Sequence, residues 1–414
     1  MRRLRRIFGW VLAVGLIVAL TGPAAAAEGE WEFVSVPDFL NADVADLSAA
    51  PGWDGGENSQ QPAQVDAISR WLDAMAAEHP EFVLVAGDLV MGHWDVDVDG
   101  RQLFGPVGTP GEKRAAISAA GDVIYPQWLR RFEERGLTVH AAVGDHDVGD
   151  DAWVRGRQAL VDTYKSVFSE HLIDGRYSET YGLTSYAFQH RNLLVVSVDV
   201  FTLIDGEMHV TVTGDHLEWL DSVLEGVTAD YVIVQGHTPV LGPVRRQHSS
   251  GLQLEGGESS EFWDTLCRHD VDLYLAGEFH DITVNDGCVT QVVHGGSINF
   301  EGDTNYLVVT VGNDGLDLIA KVADVTPLND RRVFQTGATR PHADVTLGDF
   351  QVKGQAHYDG NWQGVGELKP VSNVDAIAIW SEWQFRGSRA VVPLLVALAI
   401  ATVALLVMAR RRNR

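Results

Sequence analysis

A recurrence limits the fold more than any other feature of the chain. Between residues 32 and 277, six short apolar runs appear: EFVSV (Glu32–Val36), FVLVAG (Phe82–Gly87), LTVHAAVG (Leu137–Gly144), NLLVVSVD (Asn192–Asp199), DYVIVQG (Asp230–Gly236) and VDLYLAG (Val271–Gly277). Their length and richness in valine read as buried strands. Amphipathic segments separate them. PAQVDAISRWLDAMAAEH puts Val65, Ile68, Trp71, Leu72 and Met75 on one helical stripe. TGDHLEWLDSVLEG does the same with Leu217, Leu220 and Leu224, with Thr213 as cap and Gly226 at the stop. Strands alternating with helices predict an α/β fold. Later, CVTQVVHGGS and TNYLVVTVGNDGLDLIAKV read as consecutive strands turning at Asn313-Asp314-Gly315, so a second, partly antiparallel sheet is expected.

Chemistry collects where these runs end. VPDFLNAD supplies Asp38, VAGDLV Asp88, AVGDHD Asp145, His146 and Asp147, VQGHTP His237, and LAGEFHD Glu278 and His280. One such ending is an ordinary cap or turn. Five in one α/β order are another matter, because the carboxyl ends of parallel strands share one edge, where ligands bind. The donors are carboxylates and imidazoles without cysteine, which suits Fe, Mn, Zn or Mg rather than thiolate-bound structural zinc. One carboxylate shared between two cations lets the pair activate a water and clamp the oxygens of a displacement at phosphorus. His93 and His294 lie close enough in sequence to such endings to line a cleft, although both read equally well as surface or structural histidines.

In order and spacing these endings resemble the motifs of the calcineurin-like metallophosphoesterases: Asp-x-His, Gly-Asp, Gly-Asn-His-Asp/Glu, Gly-His and Gly-His-x-His. The resemblance covers about residues 31–320. It implies a four-layer αββα sandwich with a two-metal site. Carried over motif by motif, Asp38 and His280 bind the first metal, Asp88 bridges, and Asp145 and His237 bind the second. His146 contacts the phosphate and protonates the leaving group, and Asp147 orients His146. Three positions depart from the pattern. Leu40 replaces the histidine of the first motif, with Asn41, Asp43 or a water as substitute; Asp145 replaces asparagine; Glu278 replaces a histidine yet keeps an oxygen donor for metal. The site is thereby more negative and richer in oxygen, which weakens the preference for Zn and favours Mn, Mg or Ca. Two divalent ions drawn from Mn, Fe, Zn, Mg or Ca are therefore the expected cofactors.

The two ends of the chain imply a location. Residues 1–27 combine a basic head, an apolar run and small residues, as a secretory signal peptide does. Residues 389–409 are nearly uncharged and long enough for one transmembrane helix, and the arginines of a cytoplasmic tail follow at 410–414. Eight of the 31 basic residues sit in these ends, which leaves 57 acidic residues against 23 basic ones between them. Such a surface repels nucleic acid. Cys267 and Cys288 are available for a disulfide.

The expected layout is a metallophosphoesterase domain over 28–324, a small β-rich or extended stalk over 325–388, and the membrane helix. Substrate choice is assigned to the connections at 89–136 and 239–262. The function implied is a membrane-tethered, extracytoplasmic, metal-dependent phosphoesterase. It would hydrolyse a small phosphate mono- or diester by a two-metal-activated water. A catalytically inactive ectodomain that uses the same fold as a binding module is the second reading.

Overall fold

The computed structural model of the chain describes residues 29–39, 43–150, 152–334, 336 and 341–385. The expected signal peptide, membrane helix and cytoplasmic tail lie outside these residues. Among the described residues no helix is long and apolar enough to cross a membrane.

All six apolar runs are strands, but they divide between two sheets. The first three are β1 (Trp31–Ser35), β2 (Val83–Ala86) and β3 (Val139–Ala142), parallel and adjacent. After β4 (Glu179–Tyr181) and β5 (Ser185–His190), the fourth run is β6 (Leu193–Ser197). A separate hairpin of β7 (Phe201–Ile204) and β8 (Glu207–Val210) follows. The last two runs are β9 (Tyr231–Gln235) and β10 (Leu273–Ala276), parallel to β6 in a second sheet.

The late strands also separate. β11 (Thr283–Asn285) and β12 (Thr290–Val293) extend the second sheet beside β10. β13 (Gly302–Val311) and β14 (Leu316–Pro327) form the expected hairpin, with Val311 opposite Leu316, but pair on β1. Thus the first sheet carries three parallel strands and the second four, β6, β9, β10 and β12, each set with antiparallel neighbours, rather than one sheet of each kind.

Residues assigned to a stalk supply three strands to the first sheet. β15 (Val345–Leu347), β16 (Gln351–Tyr358) and β17 (Trp362–Gly366) pair onto its β14 edge. A helix over Asn373–Phe385 follows, where no helical period is legible in the sequence.

Side-chain alternation builds the layers. Successive strand residues point to opposite faces. Phe33, Phe82, Leu84, Leu193, Val195, Ile233, Leu273 and Leu275 all belong to one buried core between the sheets. Their neighbours Val34, Val83, Val85, Val196, Val232, Val234 and Tyr274 face the other way, into the core shared with the helices.

Three helices pack beside the first sheet. They are α1 (Pro62–Ala76), α2 (Pro110–Glu133) and α3 (Val161–Leu172). α1 buries Ile68, Trp71, Leu72 and Met75 as its period predicts, while Val65 is half-buried. α2 occupies much of the connection at 89–136 to which substrate choice is assigned. Pro110 sits in its first turn, and Thr109 and Glu112 form a reciprocal capping box.

α4 (Asp215–Glu225) and α5 (Glu261–Arg268) belong to the second sheet. Phe262 and Trp263 of α5 meet the outward ring of Tyr274 edge-on. α4 starts at Gly214 without a side-chain cap, so Thr213 does not play the role expected of it. Cys267, at the end of α5, is bonded to Cys288 ahead of β12.

Candidate metal centre

The strand ends of both sheets meet at one point. Asp38 follows β1, Asp88 follows β2 and Asp145 follows β3. From the second sheet, His237 follows β9, and Glu278 and His280 follow β10. All six side chains are buried. One ligand atom from each of Asp38, Asp88 and His280 lies within 4.8 Å of the others, and the same holds for Asp88, Asp145 and His237. Asp88 is common to both groups.

The backbone is bent to achieve this. Asp38, Asp88, Glu278 and His280 have φ of 54°, 61°, 69° and 56°, a region costly for residues with a Cβ. Such strain gathers at functional sites when the surroundings enforce it. The glycines that end the strands have a related role. A Cβ on Gly144 would stand 2.1 Å from Asp88 Oδ1, and one on Gly277 would stand 2.5 Å from Asp38 Oδ2. Only a bare backbone lets the carboxylates approach.

Hydrogen bonds at the rear of the imidazoles fix their tautomers. His237 Nδ1 donates to the carbonyl of Ala86 at 2.8 Å, which turns Nε2 towards Asp145 Oδ1 at 3.0 Å and Asp88 Oδ1 at 3.5 Å. His146 Nδ1 donates to the carbonyl of Met91 at 2.8 Å, leaving Nε2 3.9 Å from Asp88 Oδ2.

Electrostatics makes the cluster a cation site. Burial lifts the Asp88 pKa well above the usual carboxylate value, and the charges of Asp145 and Asp38 add to the lift against the pull of His237 and His146. Burial opposes charge on His237, but Asp88, Asp145, Glu278 and Asp38 outweigh it and hold its pKa well above the ordinary value. Burial also opposes ionisation of Asp145, yet the His237 hydrogen bond and the nearby imidazoles draw it down to about 2. Without a cation, the negative charge is relieved by protons on Asp88 itself and on the imidazole neighbours. Asp38 Oδ2 is buried and has no hydrogen-bond partner among the described residues. An orphaned carboxylate oxygen, a shared carboxylate, the His280 imidazole and a His237 ring with its free nitrogen fixed together fit two divalent ions.

Two expected roles change, those of Asp147 and Asp43, while Glu278 keeps one oxygen towards the site. Asp147 does not hold the His146 ring, which Met91 fixes. Its Oδ2 instead accepts the backbone N–H groups of Asp88 and Gly144, both at 2.9 Å, while Oδ1 accepts the Tyr125 hydroxyl. It ties the β2 and β3 endings together, and burial raises its pKa to about 6 despite those bonds. Glu278 stands beside the two donor groups rather than within either. Its Oε1 is taken by the hydroxyls of Ser249 and Ser250 and the N–H groups of Gly251 and Leu252, leaving Oε2 3.5 Å from His237 Nε2. Asp43 does not replace the missing first-motif histidine. It accepts bonds from Met91 N, the Trp94 indole and the Thr336 hydroxyl. Leu40 and Asn41 lie outside the described residues.

Asp150 was not singled out by the sequence reading. It forms a third possible donor group with Asp145 and His146 at the rim, and its carboxylate holds His93 Nε2 at 3.0 Å. His294 is fully buried behind the site, against Ser35 Oγ at 3.0 Å.

Residues 44–281 match the calcineurin-like phosphoesterase family, more than half of the chain, and the protein belongs to that family. The matched span begins after Asp38 and ends just beyond His280. A search of curated proteins finds no match. Among solved structures, PhoD is similar in fold, with 11% identity over 84% of this chain and 74% of that one, and a TM-score of 0.51. A dimetal phosphatase from Danio rerio aligns over 78% of this chain and 99% of its own at 14% identity, with a TM-score of 0.42. A purple acid phosphatase from yellow lupin seeds aligns over 74% and 53% at 13% identity, with a TM-score of 0.45.

Proposed function

We propose that the protein is a metal-dependent phosphoesterase, tethered to a membrane with its catalytic domain outside the cytoplasm, that hydrolyses a small phosphate mono- or diester. One observation carries the reaction: Asp88 is shared between the Asp38/His280 and Asp145/His237 donor groups. Two divalent ions held by these residues would supply the charge that lowers the pKa of a water and neutralises the phosphoryl oxygens.

The chain does the positioning. The Ala86 carbonyl keeps the proton of His237 on Nδ1, so Nε2 stays available as a donor atom. His146 presents Nε2 at the rim with its other nitrogen bonded to Met91. Burial opposes charge on His146, but Asp88, Asp150 and Asp145 outweigh it and favour the doubly protonated ring, so as water adds to phosphorus and the ester P–O bond breaks, its Nε2–H gives a proton to the departing alcohol oxygen.

Export and anchoring are read from residues 1–27 and 389–409. The Cys267–Cys288 disulfide is consistent with an oxidising compartment.

The test is elemental analysis of the purified chain followed by turnover of 4-nitrophenyl phosphate and bis(4-nitrophenyl) phosphate. About two ions per chain and metal-dependent release of nitrophenol are expected. A chain that binds no Mn, Fe, Zn, Mg or Ca and turns over neither ester would refute the reading.

A further inference from the structure

A second cavity, of about 340 Å³, lies along the same strand edge as the metal centre. β6 runs parallel to β9 with Ser197 opposite Gln235, so Asp199, just past β6, stands beside the strand end that carries His237. β5 is antiparallel to β6 with Tyr186 opposite Ser197, which brings Thr184 and Ser185 to that edge as well. Phe201 lines the cavity, and its ring centroid is 6.2 Å from that of His237. The two sites therefore share a wall.

The polar groups of the cavity form a closed framework. Lys165 Nζ pairs with Asp199 Oδ2 at 2.5 Å and donates to the Phe201 carbonyl. The Thr184 hydroxyl and the Phe201 N–H also donate to Asp199. Ser185 Oγ is bonded to His216 Nε2 at 3.0 Å and accepts the Asp199 N–H at 2.9 Å. Tyr181 stacks on His216 with ring centroids 4.5 Å apart.

Two consequences follow for a ligand. The only lysine in the lining is committed to Asp199, Asp162 adds a further negative charge, and burial lowers the His216 pKa to about 4, leaving it neutral at pH 7. The cavity has no free cation with which to hold an anion. Its remaining walls are the apolar Val161, Leu183, Phe201 and Leu203 together with threonine hydroxyls. Mostly apolar concave walls with a few fixed polar groups are the usual lining of a small-molecule site.

We propose that this cavity is the subsite for the organic part of the phosphate ester. It takes a bulky, uncharged group of aromatic or hydroxylated character and disfavours a second anionic group. The inference rests on the phosphoesterase reading above. It narrows the substrate to esters of uncharged, sizeable alcohols, as distinct from polyphosphates and bisphosphates.

Non-hydrolysable phosphonates separate the two claims. Calorimetry on the full chain with Mn²⁺ compares benzylphosphonate, methylphosphonate and 4-carboxybenzylphosphonate. Burying the aryl group is expected to make benzylphosphonate bind about tenfold tighter than methylphosphonate. The added carboxylate is expected to cancel that gain. Leu183→Trp, which fills the cavity from its exposed rim, is expected to remove the preference while leaving methylphosphonate affinity and metal content unchanged. Leu203→Ala, which strips an apolar wall, is expected to weaken benzylphosphonate several-fold if the tryptophan variant does not fold. Equal binding of benzyl- and methylphosphonate overturns the subsite and leaves the metal centre standing, as does a preference that survives substitution in whichever variant folds. Binding of neither phosphonate to metal-loaded chain overturns the phosphoesterase reading, and the subsite falls with it.

Discussion

The two sheets make unlike contributions to one site. To the two donor groups that share Asp88, the first supplies only carboxylates, Asp38, Asp88 and Asp145, whereas the second supplies both imidazoles, His237 and His280, with Glu278 beside them. Neither set is a balanced cation site alone: the first concentrates negative charge in a buried space, and the second lacks the shared carboxylate. Three bonds cross between them. His237 Nδ1 reaches the Ala86 carbonyl at the end of β2, its Nε2 meets Asp145 Oδ1 at 3.0 Å, and the Glu278 N–H reaches Asp38 Oδ1 at 3.0 Å. The metal centre is thus a property of how the sheets meet, and sandwich packing sets its geometry as much as the motifs do.

The strongest way to break the comparison is to remove the residue common to both donor groups. Asp88→Ala is expected to abolish binding of both ions and to lower ester turnover by about a thousandfold or more, since a metal supplies several kcal/mol of transition-state stabilisation. Inductively coupled plasma analysis and 4-nitrophenyl phosphate kinetics read both effects. Retention of two ions would show that Asp88 does not bridge.

Next come the imidazoles of the second sheet, taken one at a time. His280→Ala and His237→Ala should each reduce the metal content from two ions towards one and lower turnover by about a hundredfold, because each touches only one donor group. If either variant loses both ions, the site does not divide as its donor groups do.

A third substitution probes what holds the first sheet's endings together. Asp147→Ala leaves the buried N–H groups of Asp88 and Gly144 without their acceptor. At about 1–3 kcal/mol per orphaned group, urea unfolding should show a loss of roughly 2–6 kcal/mol. An unchanged midpoint would mean that the two turns are held by other contacts. The matching cradle on the second sheet, Ser249 to Leu252 around Glu278, is half-buried, and loosening it through Ser250→Ala should cost less than about 1.5 kcal/mol.

These contrasts mark what the sequence can carry. The strands, the helices α1 and α4, and the convergence of Asp38, Asp88, Asp145, His237 and His280 are legible because each depends on local period or on a short motif. The division into two sheets is not. A strand–helix–strand run reads alike whether its next partner lies in the same sheet or the opposite one, and β13 pairs with β1 across more than 260 residues. The role of Asp147 was misassigned for a related reason. Adjacency to His146 suggests a side-chain bond, whereas the 3₁₀ turn over His146–Val148 points the carboxylate back at the backbone of Asp88. Asp150 and the Ser249–Leu252 cradle leave no motif at all. They act through turns whose geometry depends on tertiary neighbours. α2 was legible in principle, since Thr109, Pro110 and Glu112 spell a capped helix start.

A pH slope tests the packing between the sheets directly. His140 lies on β3, and its ring stacks on Phe188 of β5 with centroids 4.1 Å apart, while Nδ1 bonds the Tyr177 hydroxyl at 2.7 Å. Burial, reinforced by the nearby charge of Arg176, lowers its pKa to about 3. In the unfolded chain an ordinary histidine titrates near 6.5. Between those values the unfolded state binds the extra proton, so stability falls as the pH drops through the window from about 6.5 towards 3. One proton corresponds to a slope of about 1.4 kcal/mol per pH unit. His140→Phe keeps the stack and removes the proton site, so its stability should depend less steeply on pH across that window by up to this amount. Denaturant midpoints collected from pH 4 to 7 measure the slope. Parallel curves for the two proteins would mean that the imidazole takes up its proton as readily in the folded state as in the unfolded one, and that the two sheets do not exclude water at this edge.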